Sequence, residues 1–307
     1  MTGDVDVSII AVNWNTRDLL AQCLRSVEAT GETRQELNVQ TCVVDNASTD
    51  GSAGMVREHF PWVRLIANTE NLGFARANNQ ALRQVAGRYI ALLNSDTEVH
   101  TGALETLVAF MDAHPEAGAC GPLLLNADGT LQPSCHPVLT PGREFWRLLF
   151  LERLWPRATY HQHLWDRETP REVEVIKGAC LVLRREALDQ VGLLDEQYFM
   201  YSEEMDLCHR LQQAGWQLYW VPQAKVTHYG EASSRQRAEA MYIELYRSKT
   251  QFHRKFGGER RAITFKALMT LAYLPRWLLI AAAALPVPRL RPRARTYRRL
   301  LRELPGM

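Results

Sequence analysis

Four short apolar runs punctuate the first hundred residues: Val7–Val12, Val39–Val44, Val63–Ala67 and Tyr89–Leu93. Between the first two, Leu19, Leu20, Cys23, Leu24 and Val27 recur at helical spacing, with Asn15 or Thr16 as the cap. Ala75–Val85 reads as a further helix, entered through the loop Asn71-Leu72-Gly73-Phe74. Strands alternating with helices in this way predict an α/β fold with a parallel sheet and helices on both faces. Ligands of such a sheet bind outside the carboxyl ends of its strands. Two of the runs deliver acids there: Val43-Val44-Asp45-Asn46-Ala47-Ser48-Thr49-Asp50 and Leu92-Leu93-Asn94-Ser95-Asp96.

Beyond residue 100 the pattern is less regular. Thr101–Ala113 reads as a helix, Asn126-Ala127-Asp128-Gly129 as a hairpin turn, Val173–Leu183 as a strand-like run, and Glu204–Ala214 as a helix stopped by Gly215. Trp216–Val221 and Lys225–His228 read as two strands. Between the hairpin turn and the Val173 run, Gly142–Trp165 is unusually aromatic, with Phe145, Trp146, Phe150, Trp155, Tyr160 and Trp165, and reads as a second core or as a binding surface. With 307 residues and 46% hydrophobic composition, the chain is long enough to bury a substantial core. A net charge of +2 calls for no nucleic-acid partner. The six cysteines form no Cys-x-x-Cys pair and read as reduced, buried thiols of a cytosolic protein. Met1–Asp6 shows no basic segment followed by an apolar core, so no secretory signal is expected.

In order and spacing these motifs resemble glycosyltransferase family 2. Val7–Asn15, Val44–Gly51, Asn71–Asn79 and Phe199–Arg210 carry the resemblance, which extends over residues 7–256. The subgroup it is most similar to is the rhamnosyltransferase-like enzymes of bacterial surface polysaccharide assembly. The resemblance implies a GT-A fold: a Rossmann-like, mostly parallel sheet with a C-terminal helical extension. It divides the chain into a nucleotide-sugar half (1–100), an acceptor and catalytic half (101–256) and a basic segment (257–307). It further implies a nucleoside-diphosphate sugar donor, Mg²⁺ or Mn²⁺, and inversion at the anomeric carbon.

The chemistry of such a transfer needs a cation against the leaving diphosphate and a base for the acceptor hydroxyl. Carried over residue by residue, Asp45 contacts the base or ribose; its structural alternative is an Asx turn. Asp50 caps the next helix or touches ligand. Asp96 is the metal ligand, with Asn94 standing where a full Asp-x-Asp has a second acid. His228, after the last strand, completes the metal site or touches phosphate. Asn13, Asn71, Gly73 and Asn78 complete the nucleotide side, with Gly73 a position of positive φ or close approach; Asn94 contacts the ribose or satisfies its loop, and Arg76 reaches the diphosphate or lies on a solvated face. Glu204 is the base, with Glu203 as fallback, because the family pattern reads Glu-Asp where this chain has Glu-Glu. Lys177 and Gly178 line the donor-sugar or acceptor pocket; Asp206 touches the acceptor or pairs with Arg210 four residues on.

The apolar run Ile263–Leu285 is interrupted by Lys266, Pro275 and Arg276, and an Arg-rich tail follows it. An arginine at mid-depth is costly in a membrane span. A peripheral amphipathic segment on the anionic inner face of the cell membrane is therefore expected, with a soluble packing or dimer helix as the alternative. A lipid-linked saccharide acceptor follows from that expectation. Processive synthases of the family carry Gln-x-x-Arg-Trp, which this sequence lacks, so one sugar is expected per acceptor. The donor is dTDP-rhamnose or a UDP-sugar, and a homodimer is possible. The rival readings are a nucleotidyltransferase, which would need a Gly-rich phosphate loop where Val12-Asn13-Trp14-Asn15 stands, and an inactive sugar-nucleotide-binding scaffold, which would have lost the acids.

Overall fold

The computed structural model describes residues 5–33, 37–154, 158–230 and 234–307. The N-terminal residues 1–4 and Trp155 of the aromatic segment lie outside them. The chain forms two compact units. The first takes the described residues of Met1–His136, His161–Phe199 and Glu203–Arg235, and the second those of Pro137–Tyr160, Met200–Ser202 and Gln236–Met307.

The first unit is built on strands β1 (Val7–Asn13), β2 (Val39–Asp45), β3 (Arg64–Ala67), β4 (Tyr89–Asn94), β5 (Thr97–Val99), β6 (Ala117–Leu125), β7 (Leu131–Gln132), β8 (Cys135–His136), β9 (Arg171–Glu172), β10 (Val175–Ile176), β11 (Cys180–Arg184) and β12 (Gln217–His228). The main sheet runs β3-β2-β1-β4-β11-β6-β12-β5, with β7 beside β6 and β9 beside β12. Its first four strands are parallel, as the alternating sequence pattern predicts. The rest is mixed, because β11 runs antiparallel to both β4 and β6. Strand order reverses between β1 and β4, and such a switch point opens a crevice at the carboxyl ends of the strands. Register fixes the level of that edge: Asn13 lies opposite Asp45, and Val12 opposite Asn94.

Among the described residues the helices of this unit are α1 (Arg17–Thr33), α2 (Ser52–His59), α3 (Phe74–Leu82), α4 (Ala103–Ala113), then α6 (Arg185–Val191) and α7 (Glu203–Gln213), with α5 (Pro141–Leu148) falling in the second unit. Cys23 and Val27 of α1 and Leu104 and Leu107 of α4 pack on Val7, Ile9 and Leu93. Leu20 and Leu24 of α1 join Met55 and Val56 of α2 over Ala11 and Val43. Alternation along the strands turns Ile10, Cys42 and Val44, all fully buried, to the other face.

Three local expectations differ from what is observed. Val173–Leu183 is two strands, β10 and β11, in different sheets, because Lys177-Gly178-Ala179 turns the chain between them. Trp216–Val221 and Lys225–His228 are one strand, β12, whose pairing with β6 shifts register between Val221 and Lys225. The aromatic segment is divided: its described residues up to Tyr160 belong to the second unit, whereas Trp165 packs edge-on against Trp220 in the first. All six cysteines are buried and free. Burial pushes the Cys23 thiol up to about 11 and the Cys208 thiol up to about 12, so neither offers a thiolate.

In the second unit α8 (Ala238–Ala283) is broken at Gly258, whose backbone turns to φ 70°, a conformation that favours glycine. The break coincides with the expected start of the basic segment. Phe265, Met269, Ala272 and Tyr273 of the second arm pack with Tyr297 and Leu300 of α9 (Arg291–Glu303) and Leu148 of α5. The arm passes through Pro275 unbroken and contains a window long and apolar enough to cross a membrane. Polar groups are also buried here. Glu144 pairs with Lys249 and Arg147, whose charges hold its carboxyl down at about 2 against the cost of burial. His253 accepts a hydrogen bond from Arg261 on Nδ1, and burial lowers its pKa from 6.5 to about 3.

That depressed histidine carries a pH signature. The folded ring stays neutral while the unfolded ring takes a proton below 6.5, so stability falls as pH drops from about 6.5 towards about 3. Melting temperatures of His253→Gln should show a flatter profile across this window. A profile parallel to that of the unsubstituted protein would exclude His253 as the source.

Candidate active site

The carboxyl edge of β1, β2 and β4 gathers polar residues that a core would not tolerate unpaired. Asn13 donates from Nδ2 to Asp45 Oδ1 at 3.0 Å and to Ser48 Oγ at 3.1 Å. Asp45 Oδ2 accepts the Ser48 backbone N–H at 3.1 Å, so its carboxylate closes the loop and is itself buried. Each carboxylate oxygen can accept more than one hydrogen bond, so the turn role does not exhaust Asp45 as an acceptor. Thr16 Oγ links Asn13 Oδ1, at 2.6 Å, to Ser95 Oγ, at 3.0 Å, tying the β1 loop to the β4 loop. Asn15 and Ala47, on these loops, both hold left-handed backbones. Such conformations cost of order 1–3 kcal/mol and cluster where a loop is held for function. Asp50 is a bracing residue: it accepts from Ser52 at the start of α2 and from the Arg17 N–H at the start of α1.

Asp96 and His228 are brought together by β5, a three-residue strand with no signature in the sequence. Thr97, next to Asp96, pairs with His228 in antiparallel register, and the Tyr229 N–H donates to the Asp96 carbonyl at 2.9 Å. The side chains consequently meet, with His228 Nε2 3.2 Å from Asp96 Oδ1 and 3.4 Å from Asn94 Nδ2. The imidazole is held from behind by Gln132, whose Oε1 lies 2.6 Å from His228 Nδ1. Gln132 Nε2 donates to Asn126 Oδ1 and to the His228 carbonyl, which fixes which end of the amide faces the ring. Nδ1 must therefore carry a proton, and Nε2 is the atom presented to Asp96. A lone pair and a carboxylate oxygen this close need a proton or a cation between them. The donor set, one carboxylate and one imidazole nitrogen with an orienting partner behind it, fits a divalent cation. Among the described residues no group of three or more His, Cys, Asp or Glu side chains converges on a metal position, so the protein would supply few ligands, with substrate oxygens and water completing the shell.

The expected catalytic acids lie at the start of α7, after two residues, Tyr201 and Ser202, with left-handed backbones. Glu203 is buried and Glu204 half-buried, so Glu204 is the more accessible of the two. Gly178 lies against Glu204: a Cβ at 178 would stand 3.7 Å from that of Glu204. The next residue, Ala179, accepts the Asn94 N–H at 3.0 Å. One turn of chain, Lys177-Gly178-Ala179, thus joins the end of β4 to the start of α7.

Other expected site residues carry structural contacts of their own. Asp206 is fully buried, with Oδ1 2.6 Å from Arg210 Nε and Oδ2 accepting from the Tyr198 hydroxyl, which is the expected pairing with Arg210 in place of a carboxylate open to the acceptor. Arg210 in turn donates to the carbonyls of Val191, Gly192 and Leu193, clamping the end of α6. Asp206→Ala should cost about 3–5 kcal/mol of stability, as for a buried pair that loses one partner. Denaturant titration measures that loss; an acceptor-binding role would instead raise KM with stability unchanged. Asn78 is buried and donates to the Phe74 carbonyl within α3. Gly73, at φ 84°, is explained by Phe199: an added Cβ would lie 2.5 Å from its carbonyl oxygen. Asn71 accepts from Asn46 and from the Gly73 N–H, holding this loop against β2. Arg76 is exposed. Gln132, Ser48, Thr16 and Ser95 were not anticipated, since their roles come from partners distant in sequence.

Three kinds of likeness accompany this geometry. The profile described as Glycosyl transferase family 2 matches residues 8–192. An N-acetylglucosaminyl-diphospho-decaprenol L-rhamnosyltransferase of Mycobacterium tuberculosis is 31% identical over 294 residues, covering 90% of each chain. Among solved structures, the mannosyltransferase PcManGT from Pyrobaculum calidifontis, in complex with GDP-Man and Mn²⁺, aligns at TM-score 0.56 and 20% identity over 98% of this chain and 86% of its own. GalNAc-T7 with UDP, GalNAc and Mn²⁺ aligns at TM-score 0.55 and 18% identity, over 74% of this chain and 44% of that one. The two structures establish a shared fold.

Proposed function

The chain belongs to glycosyltransferase family 2, and from that premise we propose an inverting, cation-assisted transfer of one sugar from a nucleoside-diphosphate sugar to a lipid-linked saccharide. Likeness to the mycobacterial relative favours rhamnose as the sugar and a diphosphate-linked lipid saccharide as acceptor. The observation that carries the reading is the Asp96–His228 pair, 3.2 Å apart, with Gln132 holding the imidazole tautomer.

Asp45, braced by Asn13 and Ser48, accepts from the nucleoside. Asp96 and His228 would hold Mg²⁺ or Mn²⁺, which neutralises charge on the departing diphosphate when bound. Glu204 takes the proton of the acceptor hydroxyl as that oxygen attacks the anomeric carbon from the face opposite the leaving group. Gly178 leaves open the space beside Glu204 that a side chain would narrow. Lys177, on the same turn, lies at the acceptor side. The place of work is the inner face of the cell membrane, supported by the apolar second arm of α8 and the basic tail.

A thermal-shift screen of dTDP-rhamnose, UDP- and GDP-sugars, each with and without Mn²⁺ or Mg²⁺, tests this. A donor at about 100 times its Kd should stabilise the fold by roughly 2.7 kcal/mol. Stabilisation by one donor class only with the cation supports the reading. The same shift with chelator present, or none with any donor, overturns it.

A further inference from the structure

The second unit contains a cavity of about 660 Å³ that the proposed transfer does not use. Arg147, Arg276 and Arg293 line it, together with Tyr246, Tyr273 and Tyr297. Arg147 is committed to Glu144. The other two guanidinium groups have no carboxylate partner among the described residues. Arg276 donates to the Leu148 carbonyl and lies over the rings of Phe150 and Tyr273. Arg293 donates from Nε to the Tyr297 hydroxyl at 3.1 Å. A guanidinium has five N–H donors, so both retain donors for an anion. The Tyr273 hydroxyl meets those of Tyr246, at 2.6 Å, and Tyr242, while the Tyr297 hydroxyl takes the Arg293 bond. Glu152, the one acid on the wall among the described residues, accepts from the Ala158 N–H and the Thr159 hydroxyl.

The mouth of this cationic cavity is apolar. Leu279 and Phe150 line it and are 72% and 62% exposed. Leu279 continues into an exposed face of α8 formed by Ile263, Leu271, Leu274 and Leu278. Leu271, Leu274 and Leu278 recur at intervals of three and four residues, and Ile263 stands eight residues, about two turns, before Leu271, so the four share one stripe. A soluble phosphate needs no such stripe. A phosphorylated lipid supplies both halves, an anion for the guanidinium fork and a chain for the apolar face.

We infer that this cavity binds the diphosphate of a polyprenyl carrier through Arg276 and Arg293, with the first isoprene units along the exposed face of α8. The inference rests on the lipid-linked acceptor proposed above and assigns that lipid its seat. Two guanidinium groups match the two phosphates of a diphosphate.

Flotation of the full chain with phosphatidylcholine vesicles tests it. The vesicles carry undecaprenyl diphosphate, or phosphatidylglycerol at equal surface charge. The unsubstituted protein should prefer the undecaprenyl diphosphate vesicles by about tenfold, a typical gain for charge-assisted hydrogen bonds. Arg276→Gln/Arg293→Gln should lose that preference. Arg295→Gln/Arg298→Gln, on the same tail but outside the cavity, should keep it. Arg276→Lys/Arg293→Lys retains the charge and should still bind phosphatidylglycerol while losing the preference, which separates fork recognition from a folding defect. Equal binding to both vesicles by the unsubstituted protein, or a preference that survives the glutamine pair, overturns the inference. Donor binding measured on the same preparations separates the two failures: donor bound without lipid preference refutes the cavity alone, and donor not bound refutes the transferase reading.

Discussion

Glu204→Gln is expected to lower kcat by about 10²–10⁴-fold, the range for loss of a general base. Nucleotide-sugar affinity should stay nearly unchanged. The amide keeps the size and the helix position of the carboxylate but cannot take a proton. Donor contacts are assigned to the other end of the site, at Asp45, Asp96 and His228, so isothermal titration with donor should register little. Glu203→Gln is the comparison. Glu203 is buried at the same helix start, and its substitution should act on stability more than on kcat. Loss of donor binding in Glu204→Gln, or a kcat within a fewfold of the unsubstituted enzyme, would remove Glu204 from its role and move attention to Glu203.

The second large effect concerns the cation. In Asp96→Ala the Mn²⁺-dependent part of donor affinity should vanish, leaving only the affinity measured in chelator. His228→Ala should do the same in lesser degree. Gln132→Leu is the more informative variant, because Gln132 sets the ring's tautomer without facing the proposed cation. Residues holding a metal-binding histidine from behind typically contribute about 10–100-fold in metal affinity. A titration of Mn²⁺ at fixed donor reads all three. Unchanged Mn²⁺ dependence in Asp96→Ala would refute the metal assignment and leave the Asp96–His228 contact as a proton-bridged ion pair.

How much of this was legible in the chain depends on the range of the forces involved. The alternating strands and helices of residues 7–94 were readable, because period-two and 3.6-residue patterns are written in neighbouring side chains. Asp45, Asn94 and Asp96 were placeable as soon as the strands were, since a parallel sheet presents its strand ends at one edge. Asp206 was left open between the acceptor and Arg210 four residues on; its complete burial against Arg210 and Tyr198 favours the pair. Gly73 was recognised as a special backbone position, but its cause, the Phe199 carbonyl, lies far along the chain. The aromatic stretch from Gly142 reads as one block, yet the fold sends Trp165 to one unit and Phe145, Trp146, Phe150 and Tyr160 to another.

The family, the parallel half of the sheet and the acids at its edge were thus determined by the sequence alone, through local periodicity and short motifs. The resemblance implied that Asp96 and His228 serve one site, but only the tertiary structure decided that their side chains meet. Three residues of β5 carry too little local preference to announce a strand, and their stability as one comes from β12, more than a hundred residues later. The same holds for Gln132, which matters only because β7 lays it behind the imidazole. Long-range backbone pairing, which leaves no periodic trace in either partner, turned two distant residues into one candidate cation site.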